Sequence, residues 1–547
     1  MPADSLAVII QMLGALICGS RGEENGHAMS CSGPPLKGPV ALSTLLARGL
    51  SEHPDHFALV SLQANWTWRQ LDRDADFLAR NLLSLGLQPG DRIASLMPNR
   101  CIIAVFYIAC IRAGLVIVPL NYRYKAPEID HALEVSQAVA LLAHAEREED
   151  LSLSHIVPRL PLGRISYGAD TSRNPRLEAM TAHEGPAISL PAIDPTAPAF
   201  IFFTSGSTGS PKGVTQSVET IGWMVASTAA ALAFTPGDTF MTASSLSHEG
   251  ALGFSFAALS AGAGVAIARH FDPDEYLPLL RQAHPTVMWI LPAMLVRLIE
   301  DQGASREDFA SLRFCAAGGD KLPAEVEREF EKKAGFQIHE NYGMTENGCV
   351  TSNPPTGPNK IGSIGSPAPG YEVQIRDDDG RPLPRNSAGC LWVRSPATMI
   401  GYWGRADATS EVLVDGWLDT GDVMSLDDDG YLWFAGRRKQ IIVHDGSNIS
   451  PQDVEGALLE HPAVVAAGVV GIRTLSHGEN VRAYVTLHRG APPPRASDLI
   501  AFARERIGYK APEELIFLDE MPLSPDGKTD RTTLKKMAEA NLELVSE

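Results

Sequence analysis

Residues 199–213, AFIFFTSGSTGSPKG, constrain the fold more than any other segment. The apolar run has no polar alternation, which reads as a strand buried on both faces. It enters a loop built from Gly206, Gly209 and Gly213, the hydroxyls of Thr204, Ser205, Ser207 and Thr208, and Lys212, after which residues 218–232 read as a helix. A buried strand that delivers such a loop at its carboxyl end belongs to an α/β sheet, where ligands sit beyond the strand ends. Glycines let backbone N–H groups approach an anion, hydroxyls donate further hydrogen bonds, and the lysine supplies charge, so the loop reads as a phosphate cradle. It is not a Walker A loop, because Pro211 precedes Lys212 and Gly213 follows it. On composition alone a flexible surface loop is the competing reading.

Other segments repeat the alternation of helix and strand. An amphipathic helix over 71–85 is closed by Gly86 and followed by the strand DRIASLMP. The run 101–121 reaches membrane-spanning length, but Arg112 and Gly114 near its middle predict a buried helix and then the strand LVIVPL. VMWILP, FCAAGG and QIHENYG read as strands passing into loops. After Ile361 Asp-Gly turns between alternating apolar residues predict antiparallel hairpins, and after Gly436 helices and strands suggest a compact α+β unit. The expected fold class is α/β: a large N-terminal domain of layered α/β sheets with a β-rich subdomain, and a small mobile α+β C-terminal domain. The expected divisions are a poorly ordered appendage over 1–35, a body over 36–435 and a lid over 436–547, hinged near 436–440.

With 46 Lys and Arg against 65 Asp and Glu, the formal charge is −19, and a field of that sign repels polyanions. No nucleic-acid partner is expected, and any phosphate ligand needs a local capture device. Seven scattered cysteines form neither a disulfide framework nor a zinc motif, which fits a reducing, cytoplasmic setting. The apolar run Leu6–Gly19 is too short to span a bilayer and lacks the basic flank of a signal peptide, so no integral membrane insertion is expected. Residues 21–37 are rich in Gly, Ser and Pro, and a start at Met29 is an alternative to Met1.

TSGSTGSPKG resembles the phosphate-loop signature of the adenylate-forming superfamily, which includes acyl-CoA and aryl-CoA ligases, peptide-synthetase adenylation domains and beetle luciferases. NYGMTE (341–346), GWLDTGD (416–422), GRRKQII (436–442), GSNISPQDVE (446–455) and SPDGKTDR (524–531) follow in the order of that superfamily. The resemblance runs from about residue 40 to the end. It implies that a carboxylate is joined to ATP with release of pyrophosphate, and that a thiol then attacks the acyl-adenylate. Thr204, Ser205, Gly206, Ser207, Thr208, Gly209 and Lys212 would hold the β- and γ-phosphates. Thr345 would donate to the α-phosphate, and Glu346 would hold Mg²⁺, a hard cation suited to a carboxylate. Tyr342, flanked by Asn341 and Gly343, would lie against the adenine, with Gly318, Gly319 and Asp320 in the facing loop. Asp422 would accept hydrogen bonds from the ribose, with Arg437 as a second contact. Lys528 would bridge the carboxylate and α-phosphate oxygens. Rotation about Lys439 would then withdraw Lys528 and bring the Gly446 loop towards the adenylate to form a channel for the thiol.

The block SSLSHEGALGF resembles the region where acyl and aryl ligases carry a histidine at the mouth of the acid pocket, which gives His248 an orienting role. A buried histidine bonded to backbone is the alternative. Amino-acid-selecting domains usually place an Asp in this region. His248 and Glu249 stand here instead, which favours an ordinary carboxylic acid, and Ala251, Gly253, Ala317 and Gly318 suggest room for it. The leading expectation is an AMP-forming acid–CoA ligase with ATP, Mg²⁺ and CoA. A stand-alone enzyme loading a separate acyl or peptidyl carrier protein comes second, ahead of a luciferase-like oxidoreductase and a noncatalytic nucleotide-binding relative. The sequence departs from the family pattern at Cys390, Asp419 and Gln440, where Glu, His and Asp are common; Asp419 is expected to be neutral for function.

Overall fold

The helix Cys101–Arg112 is buried at every position from Cys101 to Ile111, and the strand Val116–Pro119 follows it, as the sequence predicts. Arg112, at the end of the helix, reaches out to the Asp72 carbonyl and carboxylate. The burial is therefore that of a core helix. No helix among the described residues is long and apolar enough to cross a membrane. The computed structural model describes residues 30–169, 174–204, 211–320, 322, 324–444, 447–474, 478–488, 493–524 and 527–545.

Among the described residues the strands form sheets of nine, seven, six and five strands. In the seven-stranded sheet, Arg92–Leu96, Val116–Pro119, Ala140–His144, Arg164–Tyr167 and Pro198–Thr204 run parallel. In the nine-stranded sheet the parallel set is Phe57–Val60, Thr239–Thr242, Gly264–Ile267, Val287–Ile290, Phe314–Ala317 and His339–Met344. The helix Glu249–Ser260 packs on both sheets. Its Phe256 ring lies 6.4 Å from Phe200 of the seven-stranded sheet, and its Phe254 ring lies 6.1 Å from Phe240 of the nine-stranded one. Large rings facing opposite ways along one helix let a single element cement two sheets, because aromatic side chains carry the largest burial per residue.

The six-stranded sheet is antiparallel and contains Glu372–Arg376, Gly389–Arg394, Trp417–Leu426 and Leu432–Arg437, the hairpins that the Asp-Gly turns predict. Cys31–Ser32 adds to its edge by pairing with Glu372 and Val373. Residues 31 and 32 are therefore sheet and not appendage; the remainder of the expected appendage up to residue 29 lies outside the described residues. The fold is a large α/β N-terminal domain with a separate small α+β C-terminal domain. In the small domain Val481, Ala483 and Val485 face a core shared with Val454 and Leu499, while Tyr484 faces Leu534 and Ala538 on the other side, the period-two alternation of a strand covered on both faces. Strand Leu432–Arg437 passes through a turn over 438–441 into Ile442–His444, the first strand of the five-stranded sheet.

The helix expected over 218–232 is present as Val218–Ala231, and the segment between it and the glycine loop, left unassigned by the sequence, is a strand. Lys212–Ser217 returns as a strand antiparallel to Pro198–Thr204, with Lys212 opposite Thr204, and the helix Val218–Ala231 begins only afterwards. Ser217 ends that strand and caps the helix: its Oγ accepts from the Thr220 N–H at 3.1 Å, while the Thr220 Oγ1 accepts from the Ser217 N–H at 2.8 Å. The loop over 205–210 lies outside the described residues.

Replacing Phe256, 1% exposed, by Ala removes the ring that reaches the seven-stranded sheet. Denaturant unfolding should show a loss of about 3–5 kcal/mol, the usual cost of an aromatic truncation in a packed core. A loss under about 1 kcal/mol would contradict the bridging role.

Candidate active site

Strands His339–Met344 and Gly348–Ser352 form a hairpin whose turn is Thr345, Glu346 and Asn347. The turn is tight because a Cβ on Gly343 would stand 2.5 Å from the Gly348 carbonyl oxygen, and Gly348 itself has φ +70. The turn is fixed from outside as well: the Gln216 amide donates to the Thr345 carbonyl at 2.9 Å, and the Met399 N–H donates to that of Glu346 at 2.7 Å.

The Glu346 carboxylate is 8% exposed and accepts a hydrogen bond from the Tyr402 hydroxyl at 2.9 Å. On the other side of Tyr402, the Lys212 ammonium stands 4.7 Å from its ring centroid, a cation–π contact. Tyr402 thus links the lysine of the glycine loop to the acid of the turn. It comes from the two-residue strand Gly401–Tyr402, which pairs with Val214 and Thr215. Burial raises the Glu346 carboxyl above its ordinary value, opposed by the Tyr402 hydroxyl and by Arg437, and assisted by Asp422.

Asp422, 5% exposed, lies directly across the strand pair from Arg437, with Nε to Oδ1 at 3.3 Å. The Tyr342 hydroxyl donates to its other oxygen at 2.6 Å. Burial raises the Asp422 carboxyl above its ordinary value, against the pull of Arg437, the Tyr342 hydroxyl and Lys528. The Lys528 ammonium therefore stands within electrostatic reach of Asp422, although it is carried by the small domain. Its loop is a tight turn in which Ser524 and Lys528 exchange backbone and hydroxyl hydrogen bonds around Gly527.

The facing loop after Phe314–Ala317 approaches because Gly318 has no side chain: a Cβ there would stand 2.2 Å from the Asn341 Oδ1. Asn341 accepts from the Trp289 indole at 3.1 Å, so its amide orders the hairpin base. Gly319 has φ +85 and turns the chain into Asp320, which acts electrostatically on Glu455 and Arg531 of the small domain. His248 occupies the N-cap position of the helix Glu249–Ser260 without a side-chain cap hydrogen bond, and its Nε2 lies 3.4 Å from the Asn121 amide nitrogen. Glu249, beside it, is buried, and burial with Glu346 as neighbour pushes its carboxyl up to about 8.

The structure thus brings Thr204, Lys212, Tyr342, Glu346, Asp422, Arg437 and Lys528 into one linked set, with Gly318 against Asn341, Gly319 against Leu291 and Asp320 within electrostatic reach of the small domain. Lys439 is exposed in the turn over 438–441. Ser205, Gly206, Ser207, Thr208, Gly209 and Gly446 lie outside the described residues. The Asp419 Oδ2 accepts from the Arg438 guanidinium at 2.6 Å where the chain leaves for the small domain. Tyr402 and Gln216 were not legible in the motifs. Among the described residues no group of three potential metal ligands occurs. A buried carboxylate whose charge is only partly compensated still fits Mg²⁺, with substrate phosphate oxygens supplying other ligands.

Comparison with known proteins agrees with this arrangement. The sequence model of the family described as AMP-binding enzyme matches residues 46–403, and that of the AMP-binding enzyme C-terminal domain matches residues 453–528. A feruloyl-CoA synthase from Amycolatopsis sp is 33% identical over 469 residues, covering 84% of this chain and 92% of the relative. The fatty acid–[acyl-carrier-protein] ligase ScoC from Streptomyces coeruleorubidus is 32% identical, covering 86% and 91%. The crystal structure of ATP-bound MatB from Rhodopseudomonas palustris superposes with a TM-score of 0.82 at 27% identity, covering 90% of this chain and 98% of that one. With both family models matched in order and five of the six motifs contributing to one linked set of side chains, the chain belongs to the AMP-binding enzyme family of the adenylate-forming superfamily.

Proposed function

We propose that this protein is an AMP-forming acid–CoA ligase. A carboxylate oxygen of the acid attacks the α-phosphorus of ATP, and the bond from that phosphorus to the bridging oxygen breaks, releasing pyrophosphate. The thiol sulfur of CoA then attacks the acyl carbon, and AMP leaves. The observation that carries this reading is the convergence of Lys212, Glu346, Asp422 and Lys528, two cations and two buried carboxylates from distant segments, through Tyr402, Tyr342 and Arg437.

Each group has a task that its setting supports. Lys212 and Thr204 bind the terminal phosphates together with the glycine loop. Asp422, an acceptor held by Tyr342 and Arg437, takes the ribose hydroxyls. Tyr342 presents its ring to the adenine, and Gly318, Gly319 and Asp320 close the opposite side. Thr345 donates to the α-phosphate, where charge accumulates, and fixed donors there stabilise the transition state without reorganisation. Glu346 would hold Mg²⁺, which would supply positive charge against the phosphates. Lys528 bridges the acid and the α-phosphate, and His248 orients the acid. The small domain acts as a lid over 436–547 that turns about Lys439, exchanging Lys528 for the Gly446 loop before the thiol arrives.

The names of relatives support acids joined to CoA, while ScoC supports a second reading in which the acceptor is a carrier protein. Pyrophosphate release measured over a panel of aryl and fatty acids, with and without CoA, separates the two. We expect release and acyl-CoA formation with at least one acid. Release without acyl-CoA would assign the acceptor to a carrier protein, and no acid-dependent release would overturn both readings. The Lys528→Ala variant should lose adenylate formation by about a hundredfold or more, the scale of removing one transition-state donor, while a supplied acyl-adenylate is still thiolated. Equal loss in both half-reactions, measured separately, would refute the division of labour.

A further inference from the structure

Glu249 opens the helix Glu249–Ser260 immediately after His248 and is only 7% exposed. Its Oε1 stands 2.9 Å from where a Cβ on Gly253 would be and 3.5 Å from one on Gly348. Gly348 follows the Thr345–Glu346–Asn347 turn directly, so this carboxyl lies against the turn that carries Glu346. It acts electrostatically on the Cys349 thiol and the Tyr371 hydroxyl, and Met224 stands across Gly348. Among the described residues no backbone or side-chain donor reaches it, and its one charged neighbour, Glu346, repels it. In the same turn the Asn347 amide is fully buried, and neither its Nδ2 nor its Oδ1 has a hydrogen-bond partner.

A buried carboxyl without a donor is costly, and an apolar residue of similar size would fill the place more stably. The residual exposure of 7% leaves the group not fully enclosed, and glycines at 253 and 348 make room for the carboxyl and for Met224 where a side chain would clash. A site of this kind is completed by a donor that arrives with a ligand. We propose that Glu249 sets the specificity of the acid pocket by accepting a hydrogen bond from a hydroxyl or amino group that the substrate acid carries away from its reacting carboxylate. This rests on the ligase reading above and narrows its substrate class to acids bearing such a donor.

The test compares wild type, Glu249→Leu and Glu249→Gln on cinnamic and octanoic acids bearing a terminal hydroxyl, amino or methyl group. Pyrophosphate release is measured with ATP and Mg²⁺. Wild type should prefer a donor-bearing acid over its methyl partner by at least about tenfold in kcat/KM on one scaffold, because a site built to bond a donor rejects the analogue lacking it. Glu249→Leu should abolish that ratio, chiefly through KM. Glu249→Gln should keep a preference for hydroxyl and lose one for amino, which distinguishes the two donors. The Leu variant should unfold at the same temperature as wild type or higher. Ratios unchanged in both variants, a preference for methyl throughout, or a variant altered only in Mg²⁺ dependence would overturn the proposal and leave the ligase reading standing. Release with none of the acids would overturn both.

Discussion

The Asp422 carboxylate is the constraint on which the arrangement depends. It is buried, and a buried charge is tolerated only where partners stand in fixed places, since several kcal/mol of lost hydration must be offset. Its partners come from three directions: Tyr342 from the nine-stranded sheet, Arg437 from the neighbouring strand of the six-stranded sheet, and Lys528 from the small domain. Satisfying one carboxylate therefore ties the hairpin sheet to the α/β body and sets Lys528 of the small domain within electrostatic reach of both.

The net charge of −19 gives this local arrangement its importance. A field of that sign does not draw in ATP or CoA, so anions must be captured at short range, and long-range steering is screened within about 8–10 Å at ordinary salt. Lys212, Arg437 and Lys528 are each held beside an acid or a ring, which keeps three cations oriented in an acidic protein. Tyr402 contributes to this by binding the ammonium of Lys212 through its face and the carboxylate of Glu346 through its hydroxyl.

The residues that the resemblance assigns to phosphate, ribose and metal were legible in the sequence because they stand in ordered blocks, and Tyr342, Glu346, Asp422, Arg437 and Lys528 of those blocks lie together in space. The buried helix Cys101–Arg112 was legible because its single arginine could not sit inside a bilayer without a partner, and in the fold that arginine finds Asp72. The return strand Lys212–Ser217 was not, because KGVTQS lacks the alternation of a half-buried strand and gains its pairing from Pro198–Thr204. Tyr402 was hidden for a related reason: a two-residue strand has no period to read, and its importance comes from Lys212 and Glu346, far away in the chain. Glu249 stood in plain view, but its lack of a donor among the described residues is a tertiary property that no spacing encodes.

The central claim is that this site joins an acid oxygen to the α-phosphorus of ATP. Supplying a turned-over carboxylic acid labelled with oxygen-18 in its carboxylate, and analysing the nucleotide by mass spectrometry, follows that oxygen directly. The account predicts AMP carrying one labelled oxygen, with none in pyrophosphate. Unlabelled AMP, or label in free phosphate alongside ADP, would contradict it.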